Sequence, residues 1–314
     1  MQTLTLNNMK LSKLALGCDY FGAGLLEDDK AFLLLDSFVE AGGTLIDTAR
    51  IYADGQAEAC IGRWLKARNN RDTVCIVTKG GHFAFDGKKT PRVNKTAIKE
   101  DLDASLKALQ LPSVDIYLLH RDDPKRPVGE IMEDIAFIVE DGYAKMLGAS
   151  NWTIARILEA NEYAKKHNLP TFGISQIAFS LAHTTPEIMD DLTLVCMNEK
   201  EYEGYQKSGI PIMAYASQGK GYFSKQVNEG MGDLSKRAAA RYDSDKNRAR
   251  LTHLKEVMEK ESLTATQVVL AYLTSNPVET IAIVGAKNPV QLQDCLTAKD
   301  VKLKRECIEQ LDNI

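Results

Sequence analysis

The chain has 314 residues, 44% of them hydrophobic and 26% charged, with a formal net charge of −4 and a pI near 5.8; this composition excludes a disordered chain and supplies apolar material for a large core. The mild acidity gives no general attraction for nucleic acid or an anionic membrane surface, so neither is expected as a partner. No basic, apolar leader opens the sequence, no run approaches the roughly 18 apolar residues of a membrane span, and the cysteines are scattered without close pairs, which fits a reducing, cytoplasmic setting.

Along the chain two periods alternate. After a polar opening that suits a short hairpin, Leu14 to Cys18 is a brief apolar run of strand length. From Glu27 to Ala41 the apolar positions Ala31, Leu34, Leu35, Phe38 and Val39 recur at helical spacing, and Gly42-Gly43 supplies the stop. A strand over Thr44–Ala49 follows, then a helix near Gln56–Arg68, a strand Val74–Lys79, a helix near Asn94–Gln110 and a strand Val114–His120. Val128–Asp141 reads as helix, Met146–Ser150 as strand, Thr153–His167 as helix and Gly173–Phe179 as strand. Glu199–Ser208 is helical, Pro211–Ser217 a strand, Ser244–Asn276 helical with a break near Ser262, Thr280–Gly285 a strand, and two helices finish the chain.

Eight short apolar strands separated by amphipathic helices predict an α/β fold, a (β/α)8 TIM barrel formed by residues 1–314 as a single domain, with a short N-terminal hairpin and additional C-terminal helices. An open doubly wound sheet is the runner-up. Its dinucleotide fingerprint, G-x-G-x-x-G after the first strand, is missing: Gly22 and Gly24 begin it, but Glu27 stands where the third glycine belongs.

In a barrel of this kind the active site lies at the carboxyl ends of the strands. Strand two ends in Asp47-Thr48-Ala49 with Tyr52 beyond, strand three in Val77-Thr78-Lys79, and strand four in Leu118-Leu119-His120. Each of these polar residues alone has a structural reading: a cap, a solvated lysine, a core histidine. Together they place a phenol, an ammonium, a carboxylate and an imidazole on adjacent strand ends. An ammonium beside a phenol favours the phenolate and lowers the phenol's pKa from about 10, and a carboxylate keeps the ammonium charged in a partly dry pocket.

On Asp47-Thr48-Ala49-x-x-Tyr52, on Lys79 in VTKG and on His120 in YLLHRDDP, the sequence resembles the aldo-keto reductase family from about Leu14 to Leu296. The resemblance implies a carbonyl reductase in which Tyr52 is general acid in reduction, Lys79 and Asp47 tune it, and His120 orients the substrate carbonyl; it implies no metal. It further implies that NADP(H) lies across the top of the barrel. Ser150, Asn151 and Gln176 would hold the nicotinamide carboxamide and Tyr215 would stack on its ring; the structural readings are an N-cap for Asn151 and barrel packing for Tyr215. The stretch Ala216-Ser217-Gln218-Gly219-Lys220-Gly221 occupies the place of a pyrophosphate loop that usually reads S-P-L-G-x-G and departs from it in the first three positions. Gly285, Lys287 and Gln291 follow strand eight, where the family places the adenosine 2′-phosphate; Cys295 departs from the family pattern there.

From Lys220 to Lys255 nine Lys or Arg stand against four Asp or Glu, and the part from Gln218 to Tyr242 reads as a long irregular loop, a candidate clasp over the cofactor. Tyr20, His82, Arg121 and Trp152, with Phe21 and Phe83, are expected to line a pocket for a small-molecule carbonyl substrate. Asp122 and Asp123 read equally as hydroxyl ligands or as a turn. A slow-turnover nicotinamide-binding redox sensor or regulatory subunit is the alternative function, and a barrel isomerase for phosphorylated sugars a third; neither accounts for a complete Tyr52, Lys79, Asp47 and His120 set. No apolar stripe stands apart from the barrel helices, so the sequence sets no oligomeric state.

Overall fold

The computed structural model describes residues 1–22, 24, 26–84, 86, 88–228 and 234–313. Strands β1 (Thr3–Leu6) and β2 (Met9–Ser12) pair antiparallel across Asn7 and Asn8. Both asparagines take positive φ, as a tight two-residue hairpin turn requires. Eight strands then follow: β3 (Leu14–Gly17), β4 (Leu45–Asp47), β5 (Cys75–Gly80), β6 (Val114–Leu119), β7 (Ala144–Ser150), β8 (Phe172–Ala178), β9 (Ile212–Tyr215) and β10 (Thr280–Val284). Each pairs in parallel with its neighbour in the chain, and β10 pairs with both β9 and β3, so the sheet closes into a (β/α)8 barrel.

The helices are α1 (Asp28–Glu40), α2 (Gln56–Arg68), α3 (Lys95–Leu109), α4 (Val128–Ile135), α5 (Phe137–Glu140), α6 (Ile154–Lys166), α7 (Glu199–Ser208), α8 (Tyr222–Asn228), α9 (Lys236–Tyr242), α10 (Asp245–Glu261), α11 (Ala265–Thr274), α12 (Pro289–Leu296) and α13 (Arg305–Asp312). Their starts are written locally. Asn94, Thr153, Asn198, Ser244, Thr264 and Asn288 each accept a hydrogen bond from the backbone N–H three residues on, removing one orphan donor of the first turn. Helices α2 and α3 approach so closely that a Cβ at Gly62 would lie 2.6 Å from the Leu109 carbonyl oxygen, a gap only glycine leaves open.

Among the described residues two apolar clusters dominate, beside a small third one of Ala178, Met189 and Cys196. Outside the barrel, helix faces pack on outward strand residues; inside it, Ala15, Leu45, Val77, Ile116, Leu118, Met146, Ile174, Met213 and Ile281 fill the lumen. Met9 and Leu11 of the hairpin belong to the inner cluster, so β1 and β2 plug the amino-terminal end of the barrel. The carboxyl end is left for polar side chains.

Among the elements, the structure departs most from the sequence reading in one region. Among the described residues of the expected irregular segment 218–242, a 3-10 turn at Gly219–Gly221 leads into α8, and Ser235 caps α9. Tyr222, Phe223, Ala238 and Tyr242 are buried, so these are packed helices and not a loose clasp. Seven residues apiece are too few for helical periodicity to show; residues 229–233 lie outside the described part. The basic island is also partly internal: Arg248 pairs with Asp243 and Asp245, and Arg241 and Arg250 donate to the carbonyls of Met189 and Leu181. Among the described residues no helix is long and apolar enough to cross a membrane.

The plug makes a prediction about stability. Leu11 is fully buried, and Leu11→Ala is expected to cost about 2–5 kcal/mol in urea denaturation. A loss within about 0.5 kcal/mol, the range of a surface substitution, would show that the hairpin is not part of the core.

Candidate active site

Strand geometry brings the polar strand ends together. Side chains two apart share a face, so the residue two beyond an inward apolar one also points inward, at the barrel's mouth. Leu45 is followed in this way by Asp47, Val77 by Lys79, Leu118 by His120, Ile174 by Gln176 and Met213 by Tyr215. Lys79 is fully buried, and all its donors are used: Nζ lies 2.8 Å from Asp47 Oδ2, 2.7 Å from the Thr48 carbonyl and 3.2 Å from Tyr52 Oη. The other Asp47 oxygen accepts from Gln176 Nε2 at 2.8 Å. Burial works against the ammonium, yet Asp47 and Tyr52 more than offset it, and the Lys79 pKa stands above its ordinary value.

Tyr52 reaches the site from a 3-10 turn, Tyr52–Gly55, in which Ala53 and Asp54 both hold positive φ. Gly55 ends the turn with Arg50 folded against it, and a Cβ there would fall 1.7 Å from Arg50 Nη1. The sequence suggests that Lys79 lowers the Tyr52 pKa toward neutrality. In the structure desolvation is the larger effect, and the phenol stands above its usual value with Lys79 pulling the other way. Tyr52 is therefore a protonated acid at neutral pH. His120 completes the group, its ring edge-on to Tyr52 at 5.9 Å between centroids. Burial, then Lys79 and Arg121, hold its pKa well below the ordinary histidine value, so the imidazole is neutral; its Nδ1 is buried without a hydrogen-bond partner.

Ser150, Asn151, Gln176 and Tyr215 form a connected wall beside these groups. Ser150 is registered with Gln176 across β7 and β8. Asn151 Nδ2 donates to Ser150 Oγ and to the His120 carbonyl, and Tyr215 Oη donates to Asn151 Oδ1 at 2.7 Å. Thr153 is the cap of α6, so the amide of Asn151 is not consumed by capping. Next to this wall, Ala216, Gly219, Lys220 and Gly221 all have positive φ. Ser217 is buried with its hydroxyl donated to the Ile283 carbonyl, and the Cys295 thiol donates to Gln218 Oε1 at 3.4 Å.

At the end of β10, Gly285 is exposed with no heavy atom within 4 Å of where a Cβ would sit. The α12 N-terminus follows, with Gln291 Oε1 accepting from the Lys287 N–H and the Lys287 ammonium exposed, 4.5 Å over the Tyr20 ring. An open glycine, a cation and a helix N-terminus suit a phosphate group chemically.

On the substrate side, His82 lies 4.9 Å from His120 between ring centroids, and burial with Arg121 nearby pushes its pKa down to about 4. Arg121 lies over the Phe83 ring. Trp152, expected as a wall, is fully buried in the outer core against Phe172, and its indole N–H supports the Arg121 carbonyl from below. Asp122 is engaged by Arg156 at 2.6 Å, which favours its structural reading.

The sequence profile of the Aldo/keto reductase family matches residues 13–314. The chain belongs to the aldo/keto reductase family. This aldo/keto reductase is 26% identical to norsolorinic acid reductase stcV of Emericella nidulans over 98% of its own length and 79% of the relative's. It is 28% identical to norsolorinic acid reductase B of Dothistroma septosporum over 97% and 78%, and 26% identical to norsolorinic acid reductase of Aspergillus flavus over the same shares. Family and relatives together make the chain an oxidoreductase acting on carbonyl compounds.

Three contributors to this aldo/keto reductase site escape sequence reasoning. The Thr48 carbonyl holds Lys79; Glu58, buried on α2, accepts from Thr78 Oγ1 at 2.5 Å behind Lys79; and Asp191 lies on the rim against Lys89 and Arg121. Thr48 lies in the quoted motif but acts through its backbone, which no side-chain pattern records; Glu58 and Asp191 sit at no patterned position, and only the fold brings them near.

The buried ion pair is testable. Lys79→Met leaves Asp47 charged and buried, and a cost of about 3–5 kcal/mol is expected in chemical denaturation. Adding Asp47→Asn is expected to recover a good part of that loss. A double variant no more stable than the single one would mean that the two groups are not coupled.

Proposed function

We propose that this protein is a cytoplasmic, NADPH-dependent reductase that converts an aldehyde or ketone to the alcohol, with Tyr52 as proton donor. The observation that carries the reading is the Tyr52 phenol 3.2 Å from a buried, charged Lys79 that is itself paired with Asp47. The relatives' names agree with reduction. All six cysteines are free thiols, which suits a reducing compartment.

Ser150, Asn151, Gln176 and Tyr215 would hold the nicotinamide end of the cofactor; Gly219, Gly221 and the backbone of Ser217 and Gln218 the pyrophosphate; and Gly285, Lys287 and Gln291 the adenosine phosphate. When bound, NADPH supplies a hydride for the carbonyl carbon. The chain's own task is the other half of the chemistry. His120, neutral and with one ring nitrogen unpartnered, donates a hydrogen bond that positions the carbonyl oxygen beside Tyr52 Oη. As negative charge develops on that oxygen, Tyr52 gives up its proton to it, and Lys79, already 3.2 Å away, stabilises the phenolate left behind. Asp47 keeps Lys79 charged and in place throughout.

Tyr52→Phe is expected to lower kcat/KM for aldehyde reduction by about 10²–10⁴, while a fluorescence titration with NADPH gives an unchanged dissociation constant. Wild-type protein that binds no nicotinamide nucleotide, or a Tyr52→Phe variant that reduces aldehydes normally, would refute the reading.

The pH profile follows from the same groups. Reduction needs protonated Tyr52, whose pKa is raised, so kcat/KM should stay flat from roughly pH 6 to 9 and fall above about 10. Alcohol oxidation needs the phenolate and should rise with pH over the same range. With His82 pushed down to about 4 and His120 well below its ordinary value, no histidine inflection is expected near neutrality. A bell-shaped profile with a limb at about pH 6.5 would show that one of these imidazoles is charged in the working enzyme.

A further inference from the structure

Arg121 follows His120 directly, yet its side chain is only 12% exposed. The guanidinium carbon lies 5.6 Å over the Phe83 ring, and its charge is felt by His82 and His120 and interacts with Tyr52 and Tyr215. These residues surround the mouth of the barrel, so a buried cation faces the reacting groups.

Its hydrogen bonding is incomplete. Nη1 donates to the His120 carbonyl at 3.1 Å, Nη2 comes no closer than 3.5 Å to Asp191 Oδ2, and Nε is buried with no hydrogen-bond partner. Asp191 Oδ1 is engaged by Lys89 Nζ at 2.9 Å, by the Thr193 hydroxyl at 2.7 Å and by the Thr193 N–H at 3.2 Å, which leaves Oδ2 as the oxygen nearest Arg121. Neighbouring arginines hold a carboxylate closer, Arg156 Nε at 2.6 Å from Asp122 and Arg126 Nη1 at 3.0 Å from Asp134, although Arg156 Nε, like Arg121 Nε, makes no aligned hydrogen bond. The under-used side of Arg121 is the edge formed by Nε and Nη2. Elsewhere in this chain that same edge grips a carboxylate with two bonds, Arg63 Nε and Nη2 on Asp28 at 2.5 and 2.7 Å. A largely buried guanidinium whose Nε and Nη2 lack a close acceptor is unfavourable until a planar oxyanion satisfies that edge.

We propose that Arg121 is the specificity residue of this site: its Nε and Nη2 edge takes the carboxylate of a carbonyl substrate, with Asp191 as the weak internal partner that the substrate displaces. The assignment deepens the reductase reading and rests on it. It selects aldehydes or ketones that carry an anionic group within reach of the mouth over neutral ones of the same size.

The test uses the matched pair 4-carboxybenzaldehyde and benzaldehyde with the NADPH-loaded full-length protein, comparing wild type with Arg121→Gln, Arg121→Lys and Asp191→Asn. Wild type should favour the carboxylate, mainly through KM. The ratio of the two kcat/KM values should fall by about 10- to 100-fold in Arg121→Gln. Arg121→Lys should keep part of it, as a point charge without a fork, and Asp191→Asn should raise it. Calorimetric titration with 4-(hydroxymethyl)benzoate reads the same contact without turnover, and Arg121→Gln should weaken that binding by about tenfold or more. Equal ratios in wild type and Arg121→Gln, or titrations that do not differ, overturn the proposal; if Arg121→Gln does not fold, an unchanged ratio in both Arg121→Lys and Asp191→Asn does so. Reduction of both aldehydes without charge preference sinks this proposal and leaves the reductase reading standing. No reduction of either aldehyde, with Arg121-dependent binding of the benzoate, sinks the reductase reading and upholds the anion contact.

Discussion

A full positive charge with no exposed surface is the constraint on which the site depends. Lys79 can stay ionised in the barrel lumen only because three acceptors surround its three N–H groups: a carboxylate, a backbone carbonyl and a phenol. Each comes from the segment around β4, one strand away. Asp47 is registered with Val77 across β4 and β5, and Lys79, two residues further on, reaches over it. Slippage of this pairing by one residue would turn one of the two side chains outward. Gln176 takes the second Asp47 oxygen from the far side of the barrel, so closure of the whole sheet, and not one hairpin of it, fixes the ion pair.

The same charge sets the state of its neighbours. His120 lies in a buried setting where protonation would place a second cation near Lys79, and it stays neutral. Tyr52 feels two opposed influences, and the structure decides between them: loss of solvent raises its pKa more than Lys79 lowers it. The result is a phenol that holds its proton until charge develops on a substrate oxygen. A site that began with a phenolate would have no proton to give.

Much of this arrangement was legible in the sequence because strand periodicity is strict. In VTKG and in the run ending at His120, an inward apolar residue is followed two places later by a polar one, so once eight strands are recognised the polar residues must meet at one end. What sequence could not weigh was distance and burial. Nothing in Asp191's surroundings marks it as a rim residue beside Arg121, and Trp152, an aromatic next to a strand end, looks like a pocket wall but packs into the outer core. Helices α8 and α9 read as loop because their contacts are tertiary. The sign of the Tyr52 shift depended on how completely the fold dries the phenol, which no local pattern records.

Backbone strain is part of how the loops at the site are held, as it is at other turns and helix ends of the chain. Ala53, Asp54, Asn151, Ala216 and Lys220 all take positive φ, and all lie in loops at the carboxyl ends of strands β4, β7 and β9. For alanine, aspartate and lysine such conformations each cost on the order of 1–3 kcal/mol and persist only where surrounding packing over-determines them. That packing is visible below: the lumen is filled with aliphatic side chains and sealed at its base by Met9 and Leu11. A dry, rigid lower half does two things for the open upper half. It keeps water from reaching Lys79 and Asp47 from beneath, which strengthens their attraction, and it gives the strained loops a fixed base against which Tyr52, Asn151 and Tyr215 are held at hydrogen-bonding distance before any substrate arrives.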